Sequence, residues 1–129
     1  QKSLNQVQST ENRKQQASIN LPNNLVVIPP HSFTNCQNLA EVFIPKSAIS
    51  IGSYAFSQCK SLVKVVIPFS VILIDSYAFH ECTSLTQITI PSSVMSIGDH
   101  VFDNCTSLAR ISIPSSVTSI GHCAFFNCL

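Results

Sequence analysis

A chain of 129 residues that has no tryptophan, one methionine and three glycines has already closed off several kinds of chemistry. Three glycines cannot build a glycine-rich phosphate loop. Charge is as scarce: seven Lys or Arg stand against six Asp or Glu, 10% of the chain in all. Such a balance gives no basic stripe for a nucleic-acid backbone and no pull toward an anionic membrane surface. Nor does any apolar run reach the length that crosses a bilayer, so membrane insertion is not expected. No secretory signal is visible, and the chain opens on Gln1 rather than Met, which reads as processing or as excision from a longer chain. The sequence carries no address.

What it does carry is a period. The stretch Ile90 to Pro114, IPSSVMSIGDHVFDNCTSLARISIP, recurs in residue type 23 positions earlier and later. Leu or Ile before Pro returns at Leu21-Pro22, Ile44-Pro45, Ile67-Pro68, Ile90-Pro91 and Ile113-Pro114. Apolar residues follow at Leu25, Ala48, Val71, Val94 and Val117, then at Ile28, Ile51, Ile74, Ile97 and Ile120. Phenylalanine holds one column (Phe33, Phe56, Phe79, Phe102, Phe125), cysteine another (Cys36, Cys59, Cys82, Cys105, Cys128), and leucine a third (Leu39, Leu62, Leu85, Leu108). Between these columns the residues read as polar and variable. A unit that cannot bury its apolar side alone, repeated at a fixed interval, stacks into a solenoid with a continuous core.

Six cysteines in so short a chain would ordinarily suggest a disulfide framework. Five of them share one column, however, and stacked coils lie about 4.7–4.9 Å apart with like side chains pointing the same way. A disulfide needs Cβ atoms about 3.5–4.5 Å apart on converging vectors. Reduced, buried thiols serving as small apolar fillers and weak donors are therefore expected. Cys123, in the column of His31, Tyr54, Tyr77 and His100, has no partner in register and is a candidate exposed thiol.

Residues 1–16 are rich in Gln, Asn, Ser and Lys, with only Leu4 and Val7 apolar, and read as a flexible leader. An alternative is a stray strand, because Lys2 to Val7 resembles the strand entry at Lys60 to Val65 while standing out of register. Residues 17–129 form the solenoid, about five coils. In each, a short alternating strand such as Val42-Phe43-Ile44 turns its first and third residues inward and stops at proline. Stacked in parallel, these strands make one narrow sheet. The segment after each proline, typified by Ser116 to Gly121, is a second strand or an extended edge, turned by Gly52, Gly98 and Gly121, although Pro29 and Asp75 replace glycine in two coils. The Ala-Phe-x-x-Cys section is expected to make about one turn of helix, of the tight 3₁₀ kind.

Read from Leu85 to Cys105, the pattern Leu-x-x-Ile-x-Ile-Pro-x-Ser-Val-x-x-Ile-Gly-x-x-Ala-Phe-x-x-Cys, with Val101 in place of Ala, resembles the BspA-type, or treponemal, leucine-rich repeat. The resemblance covers about residues 17–129. It implies a mostly β, right-handed leucine-rich-repeat solenoid with short parallel strands. It implies also an extracellular or cell-surface address and a part in adhesion, since members are commonly surface or secreted proteins of treponemes, oral anaerobes and parasitic protists that bind host or matrix proteins.

Chemistry is harder to find. His31, His80, His100 and His122 stand in non-core columns without metal-ligand spacing, and His122-Cys123, in an extended segment, would point to opposite faces. Asp75 and Asp99 read as a solvated face. No cofactor, metal or enzymatic activity is expected. The surface is the better candidate: Glu41, Lys64, Gln87 and Arg110 form one outward column, and Phe43, Val66, Thr89 and Ser112 the next. Apolar groups beside charges suit a protein partner, with a glycan as the other possibility. Tyr54, Tyr77 and Phe69 offer a second apolar patch. The ends offer another reading. With Cys128 and Leu129 before an unwritten strand, Leu4 and Val7 of one copy could complete the open coil of the next, a head-to-tail contact that builds filaments. Finally, Asn104-Cys105-Thr106 matches an N-glycosylation acceptor and would place Asn104 outward if Cys105 faces in.

Overall fold

Proline ends a strand because it lacks the N–H a ladder needs, and five prolines at one interval divide the chain into coils. The structure is a computed structural model and describes residues 16–128. Strands β1 (Ser18–Asn20), β3 (Glu41–Phe43), β5 (Lys64–Val66) and β7 (Gln87–Ile88) make a parallel sheet in that order. A second parallel sheet is made by β2 (Val27–Ile28), β4 (Ser50–Ile51), β6 (Leu73–Ile74), β8 (Ser96–Ile97) and β9 (Ser119–Ile120). Partners are 23 residues apart throughout, as in Glu41 with Lys64 and Ile51 with Ile74. The post-proline segment is thus a true strand, and the described residues form two sheets rather than a single sheet with an extended edge.

The third arc of each coil departs from expectation. Among the described residues there is no helix. Linked four-residue turns take its place: the N–H of Ala55 donates to the carbonyl of Gly52, Ser57 to Tyr54, Cys59 to Phe56 and Leu62 to Cys59. A helix cannot continue there because two residues per coil are left-handed, with φ of 55–62° at His31, Tyr54, Tyr77, His100 and Cys123 and again at Asn35, Gln58, Glu81, Asn104 and Asn127. In the first four coils their N–H groups, turned outward along the stack, reach the following coil: Tyr54 donates to Ser76 O at 3.1 Å and Gln58 to His80 O at 2.7 Å. Satisfying those donors holds a conformation that costs of the order of 1 kcal/mol per residue.

Inside, like stacks on like. The rings of Phe33, Phe56, Phe79, Phe102 and Phe125 form one file, with centroids 5.2–5.7 Å apart and planes within 13° of parallel. Full burial of each such ring stabilises by about 1.5–3 kcal/mol. The cysteines are free thiols, as the column argument expects. Four of them do more than fill space: Cys59 Sγ donates to Phe33 O at 3.0 Å, and Cys82, Cys105 and Cys128 to Phe56, Phe79 and Phe102 O at 3.1 Å. The carbonyl of a phenylalanine, left in the crowded turn arc, thereby gains a donor from the next coil. Burial pushes the Cys82 thiol well above its ordinary range and the Cys105 thiol up to about 12. A hydrogen bond with the Cys36 thiol, and burial after it, raises Cys59.

The glycines have another role than the expected turn. None has a positive φ. Instead the preceding coil leaves no room: a Cβ on Gly52 would lie 2.5 Å from Ile28 O, and one on Gly98 would lie 2.6 Å from Ser76 N. Asp75 is admitted in the same column where its neighbours above and below are Gly52 and Gly98.

Candidate functional site

On the first sheet, alternation turns Val42 and Val65 into the core and leaves their neighbours outside. Register then sets Glu41 beside Lys64 and Lys64 beside Gln87 in one column, and Phe43 beside Val66 in the next. Glu41 and Lys64 are half-buried, and Phe43, Val66, Gln87 and Thr89 are exposed. The Lys64 ammonium lies over the Phe43 ring, 5.8 Å from its centroid, within the range of a cation–π contact. A shallow groove of about 440 Å³ runs between β5 and β7, floored by Val65 and Ile88 and edged by Lys64, Val66, Gln87 and Thr89. These six candidates form one strip. Arg110 and Ser112 continue its columns but are not on a strand: the trio Ile111-Ser112-Ile113 stays outside the sheet, with Ile113 exposed.

A second outer surface escaped the sequence reading, which took the columns between core positions as polar. At the entry to the second sheet, one residue before β2, β4, β6 and β8, Val26, Ile49, Ile72 and Met95 stand 23 residues apart and are 40%, 46%, 43% and 52% exposed. Backbone bonds stack them directly: Ile49 N donates to Val26 O, Ile72 N to Ile49 O and Met95 N to Ile72 O, at 2.7–2.8 Å. Thr118 ends the file. The signal was present in sequence as four apolar residues at the repeat interval.

Tyr54 and Tyr77 do not join Phe69 in one patch. They stack between His31 and His100 in a four-ring file, centroids 4.6–4.8 Å apart, half-buried in the turn arc. Phe69 stands just after Pro68, at the margin of the second sheet, and is exposed. The file ends at Cys123, half-buried and in a left-handed turn. The extended geometry expected for His122-Cys123 is therefore corrected to a turn, required by the ladder bond from His100 N to His122 O. Beside this file lies a carboxylate that sequence did not single out: Asp103 is buried, accepts from or shares a proton with His100 Nδ1 at 2.7 Å through Oδ2, and leaves Oδ1 without a partner. Asp75 accepts the N–H of adjacent Ser76, and Asp99 accepts that of His122 in the following coil. Among the described residues no three His, Cys, Asp or Glu side chains gather as metal ligands. No helix there is long and apolar enough to cross a membrane.

Asn104 is half-buried, and its Oδ1 accepts from Asn127 Nδ2 at 2.7 Å, two rungs of one amide ladder. Cys128 faces a slot with Leu108, Ile111 and Phe125 in the last coil. Leu4, Val7 and Leu129, with the whole Lys2 to Val7 segment, lie outside the described residues.

Parallel coils of one period, with leucine, phenylalanine and cysteine files inside, define a leucine-rich-repeat solenoid. The chain belongs to the BspA-type leucine-rich-repeat family, whose model matches residues 8–129 in six copies. It is similar to the leucine-rich-repeat protein of Treponema pallidum, at 35% identity and a TM-score of 0.85 over 89% of this chain. It also resembles a leucine-rich cell surface protein of Faecalibacterium prausnitzii (38%, TM-score 0.84, over 88% of this chain) and a leucine-rich-repeat protein of Bacteroides ovatus (33%, 0.78, over 84%). The chain spans 56% of the treponemal structure and 30% of each of the other two. No curated protein matches it. The family is in general a scaffold for protein–protein interaction and non-enzymatic.

Proposed function

We propose that the chain is a binding module of the adhesion type, displayed at a cell surface or secreted, that engages a host, matrix or other protein through the outer strip of its first sheet. The observation that carries this is the pairing of exposed Phe43 and Val66 with Lys64 poised over the Phe43 ring. Exposed apolar side chains ringed by a few charges are the make-up of an interface centre and rim, and Glu41, Gln87, Thr89, Arg110 and Ser112 supply the rim. The cell-surface description of the Faecalibacterium relative supports the address. The test is a photo-crosslinking residue placed at Phe43, Val66 or, as control, Thr118, with the labelled protein applied to host cells and to a panel of matrix proteins. Adducts from the first two positions and none from the control are expected. Equal yield at all three, or none from any, overturns the reading.

A second reading, head-to-tail stacking into a filament, is favoured by the slot around Ile111, Phe125 and Cys128, which the first coil of another copy could fill as well as a following coil of the same chain. Scattering mass that grows without limit with concentration, and falls when residues 1–16 are deleted, would select it. An N-linked glycan on Asn104 would add bulk to the turn arc without touching the strip.

A further inference from the structure

The apolar file at the entry to the second sheet has no role in the reading above, and the composition around it is specific. Columns 23–27, 46–50, 69–73 and 92–96 hold a single charge, Lys46, and a single aromatic ring, Phe69. Phe69 is 75% exposed. Stretches of exposed apolar surface this continuous mark interaction sites on soluble proteins.

We infer that this face pairs with the same face of a second copy, the two solenoids running antiparallel. Three observations choose that occupant. Spacing is the first: side chains held one per coil by ladder bonds present a fixed rise, and another copy of the chain reproduces that rise without adjustment. Side-chain size is the second. In an antiparallel pair Val26 lies across from Met95, and Ile49 across from Ile72, so small meets large at the ends and equals meet at the centre. A parallel pair would set Met95 on Met95 and Val26 on Val26 and leave a wedge-shaped gap. Charge is the third. A two-fold axis along the strand direction keeps each column over itself and brings the second coil over the third, so Lys46 falls across from Phe69 of the other copy, twice in the dimer. That gives the lone charge an aromatic face, and the remaining surface, being uncharged, meets itself without repulsion. A specific interface needs roughly 500 Å² from each partner, and the exposed apolar groups with Val27 and the serines between them supply area of that order.

Sedimentation equilibrium of the full chain tests it, with circular dichroism as the check on folding. A dimer that does not grow further is expected for the native chain. Ile49→Lys and Ile72→Glu are each expected to weaken it by at least about tenfold, since each buries an unpaired charge against isoleucine. An equimolar mixture of the two variants is expected to dimerise again, because Lys at 49 of one copy faces Glu at 72 of the other. A native chain that stays monomeric at millimolar concentration, variants that still dimerise alone, a mixture that does not recover, or assembly beyond the dimer would each overturn the proposal. The first-sheet strip takes no part in these contacts, so the outcome leaves the crosslinking test independent.

Discussion

The fourth coil and the fifth are written in nearly the same residues and experience different surroundings. Ile97 is 1% exposed and its equivalent Ile120 is 49% exposed; Phe102 is fully buried while Phe125 is covered on one side by Phe102 and half-open on the other. The fourth-coil trio contributes β7, whereas Ile111-Ser112-Ile113 forms no strand. Identical local preference with unequal order means that burial here is conferred by the next coil rather than by the residue. In a solenoid each interface is a nearest-neighbour term, and the fifth coil has one described neighbour where the fourth has two.

The strongest way to break this comparison is to remove a ring from each place. Phe79→Ala opens a void between Phe56 and Phe102 and is expected to cost about 3–5 kcal/mol. Phe125→Ala, with one stacked neighbour, should cost less than about 2 kcal/mol, because the vacated site opens to solvent and the coil can collapse onto it. Urea unfolding followed by circular dichroism measures both. Equal losses would mean that the intrinsic preference of the coil, and not its neighbours, sets stability.

A smaller contrast comes from the glycines. A methyl on Gly98 would meet backbone and the Ser76 side chain in the preceding coil at 2.6–3.0 Å, with the fifth coil closing the other side. Gly98→Ala is expected to destabilise by about 1–3 kcal/mol. Gly121→Ala meets Asp99 N and Gly98 C at 2.4 Å, a contact no looser, yet the last coil can shift away, so a loss smaller than at Gly98 is expected in the same unfolding measurement. A larger one would show that the fifth coil is held as firmly as the fourth.

Much of this was legible in sequence because a strict period converts one residue into a column. The Phe, Cys and Leu files needed only the interval and the rule that like stacks on like, and proline marked each strand end. The turn arc was not legible: Tyr54, Gln58, Tyr77, Glu81 and Cys123 adopt left-handed φ that their side chains do not advertise, whereas the other five positions, His31, Asn35, His100, Asn104 and Asn127, carry types enriched there. The glycines misled because their requirement lies in the distance to another coil, which no local rule contains. The file Val26, Ile49, Ile72 and Met95 is obscured for the opposite reason: its period is written in the sequence, but it stands among mainly polar columns and ends at Thr118. Of the first-sheet strip, the columns were legible and the Lys64 contact with Phe43 was not, because it depends on the direction a long side chain takes across the register.

The thiols give the finest contrast between inner and outer coils. Cys105, in the fourth, is held up to about 12 by burial against an ordinary value of 9.0, whereas Cys128, in the fifth, is raised by a burial that is only partial. A folded-state value above the unfolded one means that the folded state keeps its proton longer. The contribution to stability is complete below pH 9 and is lost progressively from about pH 9 to about pH 12 as the unfolded thiol ionises first. Between pH 8 and pH 10 one such thiol should therefore account for about 1 kcal/mol of lost stability. Cys105→Ala, although less stable overall, is expected to show that much less decline across the interval, and Cys128→Ala a smaller difference. Thiol labelling of the native chain should follow the same order, with Cys123 and Cys128 modified first and Cys59, Cys82 and Cys105 only on unfolding. Labelling of Cys82 at the rate of Cys123 would show that the inner coils open as readily as the outer one, and with that the contrast between them would be lost.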